Sequence, residues 1–274
     1  MAGPEQGRGR VRTRAGTERR GSGAPGGPAP TAAGEVTAAA AAGEVTAAVA
    51  GEHEDPQCLA PGEAAGLLAG AGWRRAVVLG DSTTESTGMT VVPGWARATW
   101  TDRVAAALRE TDPQFACLHP RGRRDLPLSH IRSTQLGDAL DFAGDLALLT
   151  CGGPELRAQS FDPDAMELEL SRILSALRGA TCQVVLVVSP FDLTRTGQVP
   201  AGRLTAVRAR QRLLAERIES VALRHGCVHV DLAAHEGASS ADLWSARPWR
   251  LSSRGHAVAA AAVVRTLGGL PGTR

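Results

Sequence analysis

The feature that most constrains the fold is a series of five short apolar runs that alternate with longer amphipathic segments from about residue 65 onward. The apolar runs predict strands at 76–79, 115–118, 145–150, 183–188 and 228–232. Apolar residues at helical spacing predict helices at 98–109, 128–140, 164–178, 204–225 and 253–267. The runs are continuous rather than alternating, which is typical of strands buried on both faces. The pattern therefore predicts an α/β domain, a three-layer α/β/α sandwich around a five-stranded parallel sheet.

Residues 1–64 have a different composition, and they are predicted to form a disordered, low-complexity N-terminal tail ahead of a domain at 65–274. The first thirty residues are rich in Arg, Gly and Pro, and AAGEVTAA then occurs at 32–39 and again at 41–48. Such sequence buries too little apolar surface to offset the entropy lost on ordering. Glu35 and Glu44 interrupt the only candidate for the apolar core of a signal peptide.

Composition excludes several classes of function. The formal net charge is only +2, so nothing drives the whole chain toward nucleic acid or a membrane surface. Five scattered cysteines form neither a metal-binding spacing nor a disulfide framework, which predicts reduced thiols, a cytoplasmic protein, and no metal or other cofactor. The chain contains no asparagine, so no mechanism that needs an Asn side chain can operate here.

A polar turn follows the first predicted strand, in the sequence LGDSTTESTG at 79–88. Ligands of parallel α/β sheets bind at the carboxyl ends of the strands, so Ser82 is placed where a nucleophile would act. Asp81 and Ser82 are also good helix-capping residues, which is the purely structural interpretation of the same turn.

Three further motifs accompany this turn: a glycine after the second strand, Gly152-Gly153 after the third, and LSSRGH at 251–256. Together with LGDSTTESTG, they resemble the SGNH, or GDSL, hydrolases over about residues 70–270. The resemblance implies a flavodoxin-like sheet and hydrolysis or transfer of acyl groups. It assigns Ser82 as the nucleophile, and Gly122 and Gly153 as backbone oxyanion-binding or ligand-binding residues.

The resemblance breaks at three positions. Pro154 stands where the family has an oxyanion-binding Asn, and proline offers neither an amide side chain nor a backbone N–H. The family's acid and histidine base would fall in WSARPWRLSSRGH, where Arg247 and Arg250 occupy their places. A guanidinium cannot accept a proton at physiological pH.

Other residues are candidates for the missing base. His119 precedes Gly122 on the loop expected nearest Ser82 and is the preferred substitute, while Glu155 beside Pro154 is a weaker one. His256 lies more than one turn into the last helix and is expected to point away.

The residues leave three functions open. The first is hydrolysis or acyl transfer by Ser82 with a non-standard base. The second is a catalytically inactive protein that binds a small acyl or anionic ligand or a partner. The third is different chemistry on an anionic substrate held by Arg247 and Arg250, since guanidinium groups bind such anions bidentately.

Overall fold

The computed structural model describes residues 50–119 and 126–270. Its five strands are β1 (Arg75–Leu79), β2 (Ala116–Leu118), β3 (Leu146–Thr150), β4 (Val184–Ser189) and β5 (Val228–Asp231). All neighbouring strands are parallel, in the order β2-β1-β3-β4-β5. The five strands lie close to the predicted segments, because their continuous apolar runs are buried in the sheet.

The helices are α1 (Ala50–Glu54), α2 (Glu63–Leu67), α3 (Trp100–Thr111), α4 (Leu128–Phe142), α5 (Gly153–Arg157), α6 (Pro163–Gly179), α7 (Leu204–Arg224) and α8 (Ser253–Gly268). Helices α2, α3 and α8 pack together in one layer, and α4, α6 and α7 pack together in another. The fold is therefore the predicted α/β sandwich, with the largest apolar side chains of both layers buried against the sheet.

Capping side chains explain why several helices begin where they do. Thr99 and Asp102 form a capping box at α3, in which each side chain accepts the other's backbone N–H at 3.1 Å. Asp162 caps α6 just ahead of Pro163, a residue suited to a first helical turn. Ser252 caps α8 by accepting the Gly255 N–H at 3.0 Å.

Packed structure begins before residue 65, the predicted start of the domain. Cys58 and Leu68 are buried in the core. Ion pairs join Glu52 to Arg103, Asp55 to Arg254 and Glu63 to Arg265, which fastens α1 and α2 to α3 and α8. Local composition could not predict these ion pairs, because the partners are far apart in the sequence. Across 50–119 and 126–270, no helix is long and apolar enough to cross a membrane.

Candidate functional site

The turn after β1 is held by hydrogen bonds within the turn and by a glutamine on α4. Asp81 Oδ1 accepts the Thr83 N–H at 2.9 Å and caps the short 3₁₀ turn Ser82–Thr84. The side-chain amide of Gln135, on α4, accepts the Gly80 N–H at 2.9 Å and donates to the Gly80 carbonyl at 2.8 Å. A Cβ on Gly80 would collide with Thr150 Oγ1, so the close approach of β1 and β3 requires glycine there.

Ser82 lies in this turn with only 2% of its surface exposed. Its carbonyl accepts the Glu85 N–H at 3.3 Å. Within 50–119 and 126–270, no hydrogen bond joins its hydroxyl to a histidine or a carboxylate. A serine nucleophile needs such a base within hydrogen-bond reach, and the described residues supply none to Ser82.

Arg247 and Arg250, which the resemblance aligns with the acid and base, lie on a tight hairpin. Trp244 and Leu251 pair as an antiparallel bridge, and the Ser245 N–H donates to the Arg250 carbonyl at 2.8 Å. The hairpin is tied to the Ser82 loop because the Thr90 N–H donates to Ser245 Oγ at 2.8 Å.

The two arginines have different surroundings. Arg247 is exposed, and its Cδ would lie 2.8 Å from a Cβ on Gly88, so its stem rests against the loop after Ser82. Arg250 is half-buried, and its Nη1 is enclosed without a hydrogen-bond partner in the described part of the chain. Burying one nitrogen of a guanidinium group without a partner is costly, so Arg250 Nη1 is an unused hydrogen-bond donor.

The loop after β3 brings Gly153 to the site. A Cβ on Gly153 would lie 3.3 Å from Asp81 Oδ2 and 3.4 Å from Arg157 Nη1, so these two groups face the same glycine. Pro154 lies in the first turn of α5, where a missing N–H costs nothing, and it supplies no amide to the site.

Glu155 has a structural partner and one unused oxygen. Its Oε1 accepts the N–H of Leu128, the first residue of α4, at 2.8 Å. Its Oε2 is enclosed without a partner among the described residues. Burial raises the pKa of this carboxyl, and the nearby Asp81 charge raises it further. Burial also raises the pKa of the adjacent Cys151 thiol well above its ordinary value, which makes it a poor nucleophile.

The two candidate histidines, His119 and His256, have partners other than Ser82. His119 follows β2, with its Nε2 4.0 Å from Asp102 Oδ1, and lines a cleft of about 400 Å³ beside α4. Burial lowers its pKa, and among the described residues it makes no hydrogen bond to Ser82. His256 is buried in the core, where its Nδ1 accepts the Trp100 N–H at 3.1 Å and burial lowers its pKa to about 3. The predicted donor Gly122 lies outside the described residues.

An aromatic pocket beside Asp81 and Gly153 was missed from the sequence. Trp100, Phe191, Trp244 and Trp249 contribute rings to it, and Arg157 lies at its edge with its guanidinium carbon 5.5 Å from the Trp249 ring centroid. The available signal was the pair Trp244 and Trp249 within WSARPWRL, the first before Arg247 and the second between Arg247 and Arg250.

A second polar group was also missed, at the ends of β4 and β5. Ser189 Oγ donates to Asp231 Oδ1 at 3.1 Å and lies 3.1 Å from His229 Nε2. Ser189 is buried, and Pro190 after it has no N–H to bind an oxyanion. This group therefore joins the two strands rather than forming a second serine site.

Comparisons with known proteins agree with this fold. The model of the GDSL-like lipase/acylhydrolase family matches residues 78–258. A metagenomic α/β hydrolase from Lake Arreo, Spain, superimposes with a TM-score of 0.55 at 19% identity, covering 75% of this chain and 99% of its own. A lipase/acylhydrolase from Enterococcus faecalis gives a TM-score of 0.54 at 16% identity, covering 72% and 96%.

An acetylxylan esterase from Geobacillus stearothermophilus gives a TM-score of 0.54 at 15% identity, covering 76% of this chain and 98% of its own. No curated protein is significantly similar in sequence. At these identities the solved structures establish the fold alone, while the family model spans most of the chain. The chain belongs to the GDSL-like lipase/acylhydrolase family.

Proposed function

We propose that this protein is a non-hydrolytic member of the family, which binds a small molecule at the carboxyl ends of its strands. The observation that carries the proposal is the Ser82 hydroxyl, which has no hydrogen bond to a base in the described part of the chain. Arg247 and Arg250 also support the proposal, because a guanidinium group cannot take a proton from serine.

The expected losses of turnover favour a binding function over catalysis. Loss of the base from a serine hydrolase lowers turnover by about a million-fold. Loss of one oxyanion donor, as expected from Pro154, lowers it by about another hundred- to thousand-fold. A pocket with aromatic walls and a few polar groups is, by contrast, the usual form of a small-molecule site.

Ester turnover tests the proposal. We expect the wild type and Ser82→Ala to hydrolyse p-nitrophenyl acetate and butyrate at the same background rate. The matched positive control is the triple variant Pro154→Asn, Arg247→Asp, Arg250→His, which restores the family's side chains on the same fold. Turnover by the wild type that disappears in Ser82→Ala would contradict the proposal.

Hydrolysis or acyl transfer by Ser82 is the second candidate, and Glu155 is the observation in its favour. An unused carboxylate oxygen and a pKa raised by burial are properties that a general base can have, and Glu155 has both. If Ser82-dependent turnover is found, Glu155→Gln would abolish it on this account, whereas His119→Gln would abolish it if His119 is the base.

Chemistry on an anionic substrate is the third candidate, favoured by the unpartnered Nη1 of Arg250. On this account, Arg250→Gln weakens binding of the anionic substrate more than Arg247→Gln. The exposed Arg247 contributes less because water screens its charge.

A further inference from the structure

One face of α7 carries charged and apolar side chains that the rest of the described chain does not use. At 100° of rotation per residue, seven residues fall within about 120° of the helix circumference. These residues form the α7 stripe: Leu204, Arg208, Arg212, Ala215, Glu216, Glu219 and Leu223. Its four charged members form no ion pair with any residue in 50–119 or 126–270.

The other side of α7 differs, because the arginines there have partners. Arg217 and Arg224 pair with Glu167 on α6. Arg210 donates to the Ala158 carbonyl at 2.8 Å. The charges of α7 that face the protein are thus paired, while those of the α7 stripe remain available to a partner outside it.

The α7 stripe borders an open edge of the sheet. β5 is the last strand in the sheet order, and no strand of the described residues lies beyond it. Two open clefts, of about 430 and 290 Å³, lie between α7 and β5 and share Arg212, Ala215 and Asp231. His229 and Asp231 hydrogen bond to Ser189 on β4, so their side chains lean inward rather than over the edge. Exposed strand edges are normally covered or blocked, so this surface lacks its usual protection.

The order of charges along the α7 stripe is self-complementary. Two basic residues come first and two acidic residues follow. If a second copy lies antiparallel, with the twofold axis near the middle of α7, Arg208 meets Glu219 of that copy. In the same register Arg212 meets Glu216, and the symmetry repeats both contacts. A uniformly acidic or basic partner would instead leave charges of one sign unpaired.

The same register also covers the apolar ends of the α7 stripe. Leu223 is 79% exposed, which is the largest value for a large apolar side chain in the described part of the chain. In the antiparallel arrangement it meets the half-buried Leu204 of the second copy. Ala215 lies near the axis, where a small side chain allows two helices to pack closely.

We propose that this surface binds a second copy of the chain, with the two α7 helices antiparallel and each copy covering the other's β5 edge. The inference does not rest on the proposed function, because β5 is separated by β3 and β4 from the strand that leads to Ser82.

Sedimentation velocity of the full chain, from about 1 to 100 μM, measures the association. We expect a reversible equilibrium between monomer and dimer. Arg208→Glu with Arg212→Glu makes the α7 stripe wholly acidic, and Glu216→Arg with Glu219→Arg makes it wholly basic. Each double variant should weaken dimerisation by about a hundredfold or more, because every interchain ion pair becomes a repulsion.

Mixing the two double variants distinguishes lost pairing from a damaged fold. Neither forms homodimers on this account, but the acidic and basic stripes should combine into a heterodimer, which native mass spectrometry identifies by its mass. The matched control is Arg97→Glu with Arg109→Glu, which makes the same change of charge at two other exposed positions and should dimerise as the wild type does.

One further pair of variants tests the register. Arg212→Glu alone places like charges opposite one another, and it should weaken the dimer by about tenfold. Arg212→Glu with Glu216→Arg in the same chain exchanges the two charges and should restore the wild-type affinity.

Three results would overturn the inference: a wild type that stays monomeric up to about 100 μM, double variants that dimerise as the wild type does, or a mixture that forms no heterodimer. Failure of the Arg212–Glu216 exchange to restore dimerisation would overturn the antiparallel register. Ester turnover is measured separately, so none of these failures bears on the proposed function.

Discussion

At the scale of single residues, the candidate site combines a capped turn after β1 with the Gly152-Gly153 segment after β3. Ser82 lies in a turn capped by Asp81, and Gly153 faces Asp81 and Arg157. The proposal that Pro154, Arg247 and Arg250 replace the family's side chains could be made from the sequence, because it depends only on residue type. The orphaned Nη1 of Arg250 and Nε1 of Trp244 were not readable, because they depend on which groups fold around them.

His256 gives a residue-scale prediction about pH. Its pKa is about 3 in the folded protein, while an unfolded histidine titrates near 6.5, so below about pH 6.5 the unfolded chain binds a proton that the folded chain does not. Stability that is present above pH 6.5 is therefore lost as the pH falls toward 3. We expect the free energy of unfolding to drop by about 2 kcal/mol more in the wild type than in His256→Gln between pH 7 and pH 5.

Urea unfolding at the two pH values measures this difference. The glutamine oxygen can still accept the Trp100 N–H, so the variant removes the titration with little loss of bonding. His130→Gln, at an exposed position, is the control and should follow the wild type. Equal losses in the wild type and His256→Gln would show that this histidine is not held neutral.

At the scale of elements, the sequence predicted the five strands and the five long helices with ends displaced by only a few residues. These elements carry strong local signals, namely continuous apolar strands and helices with capping residues such as Thr99 and Asp162. Helices α1, α2 and α5 were not predicted. Each has only five residues, and α1 and α2 are stabilised by distant arginines rather than by their own periodicity.

Two glutamines connect the helices to the loops of the site, and they give an element-scale prediction. Gln135 on α4 holds Gly80, and Gln211 on α7 holds the loop after β4 by bonds to Leu193 and Phe191, each at 3.0 Å. Gln135→Leu leaves both Gly80 backbone groups unpaired, which should lower stability by about 1–3 kcal/mol.

Hydrogen exchange measured on peptides distinguishes the loop that Gln135 stabilises from the loop that Gln211 stabilises. In Gln135→Leu, exchange should rise in the peptide over 78–90, while in Gln211→Leu it should rise over 189–196 instead. The two variants thus act as matched controls for one another. Faster exchange over both peptides in both variants would mean that the glutamines stabilise the whole domain rather than fixing separate loops.

At the scale of the whole molecule, the strand order places β1 and β3 side by side at the centre of the sheet. Ser82 and Gly153 follow these two strands, and the hairpin before α8 reaches them through Thr90. The topology thus brings the loops after β1 and β3 close to the hairpin that carries the cationic side chains of Arg247 and Arg250. The order of elements predicts the location of a site, but the activity depends on individual contacts that no pattern of hydrophobicity encodes.

Labelling by a fluorophosphonate probe, followed by intact-protein mass spectrometry, tests this central claim most directly. The probe reacts with an activated serine whatever the natural substrate, so it does not depend on guessing the right ester. We predict no adduct on the wild type beyond that on Ser82→Ala, with the Pro154→Asn, Arg247→Asp, Arg250→His variant as the comparison. A stoichiometric adduct on wild-type Ser82 would contradict the account and would show that an unrecognised base activates this serine.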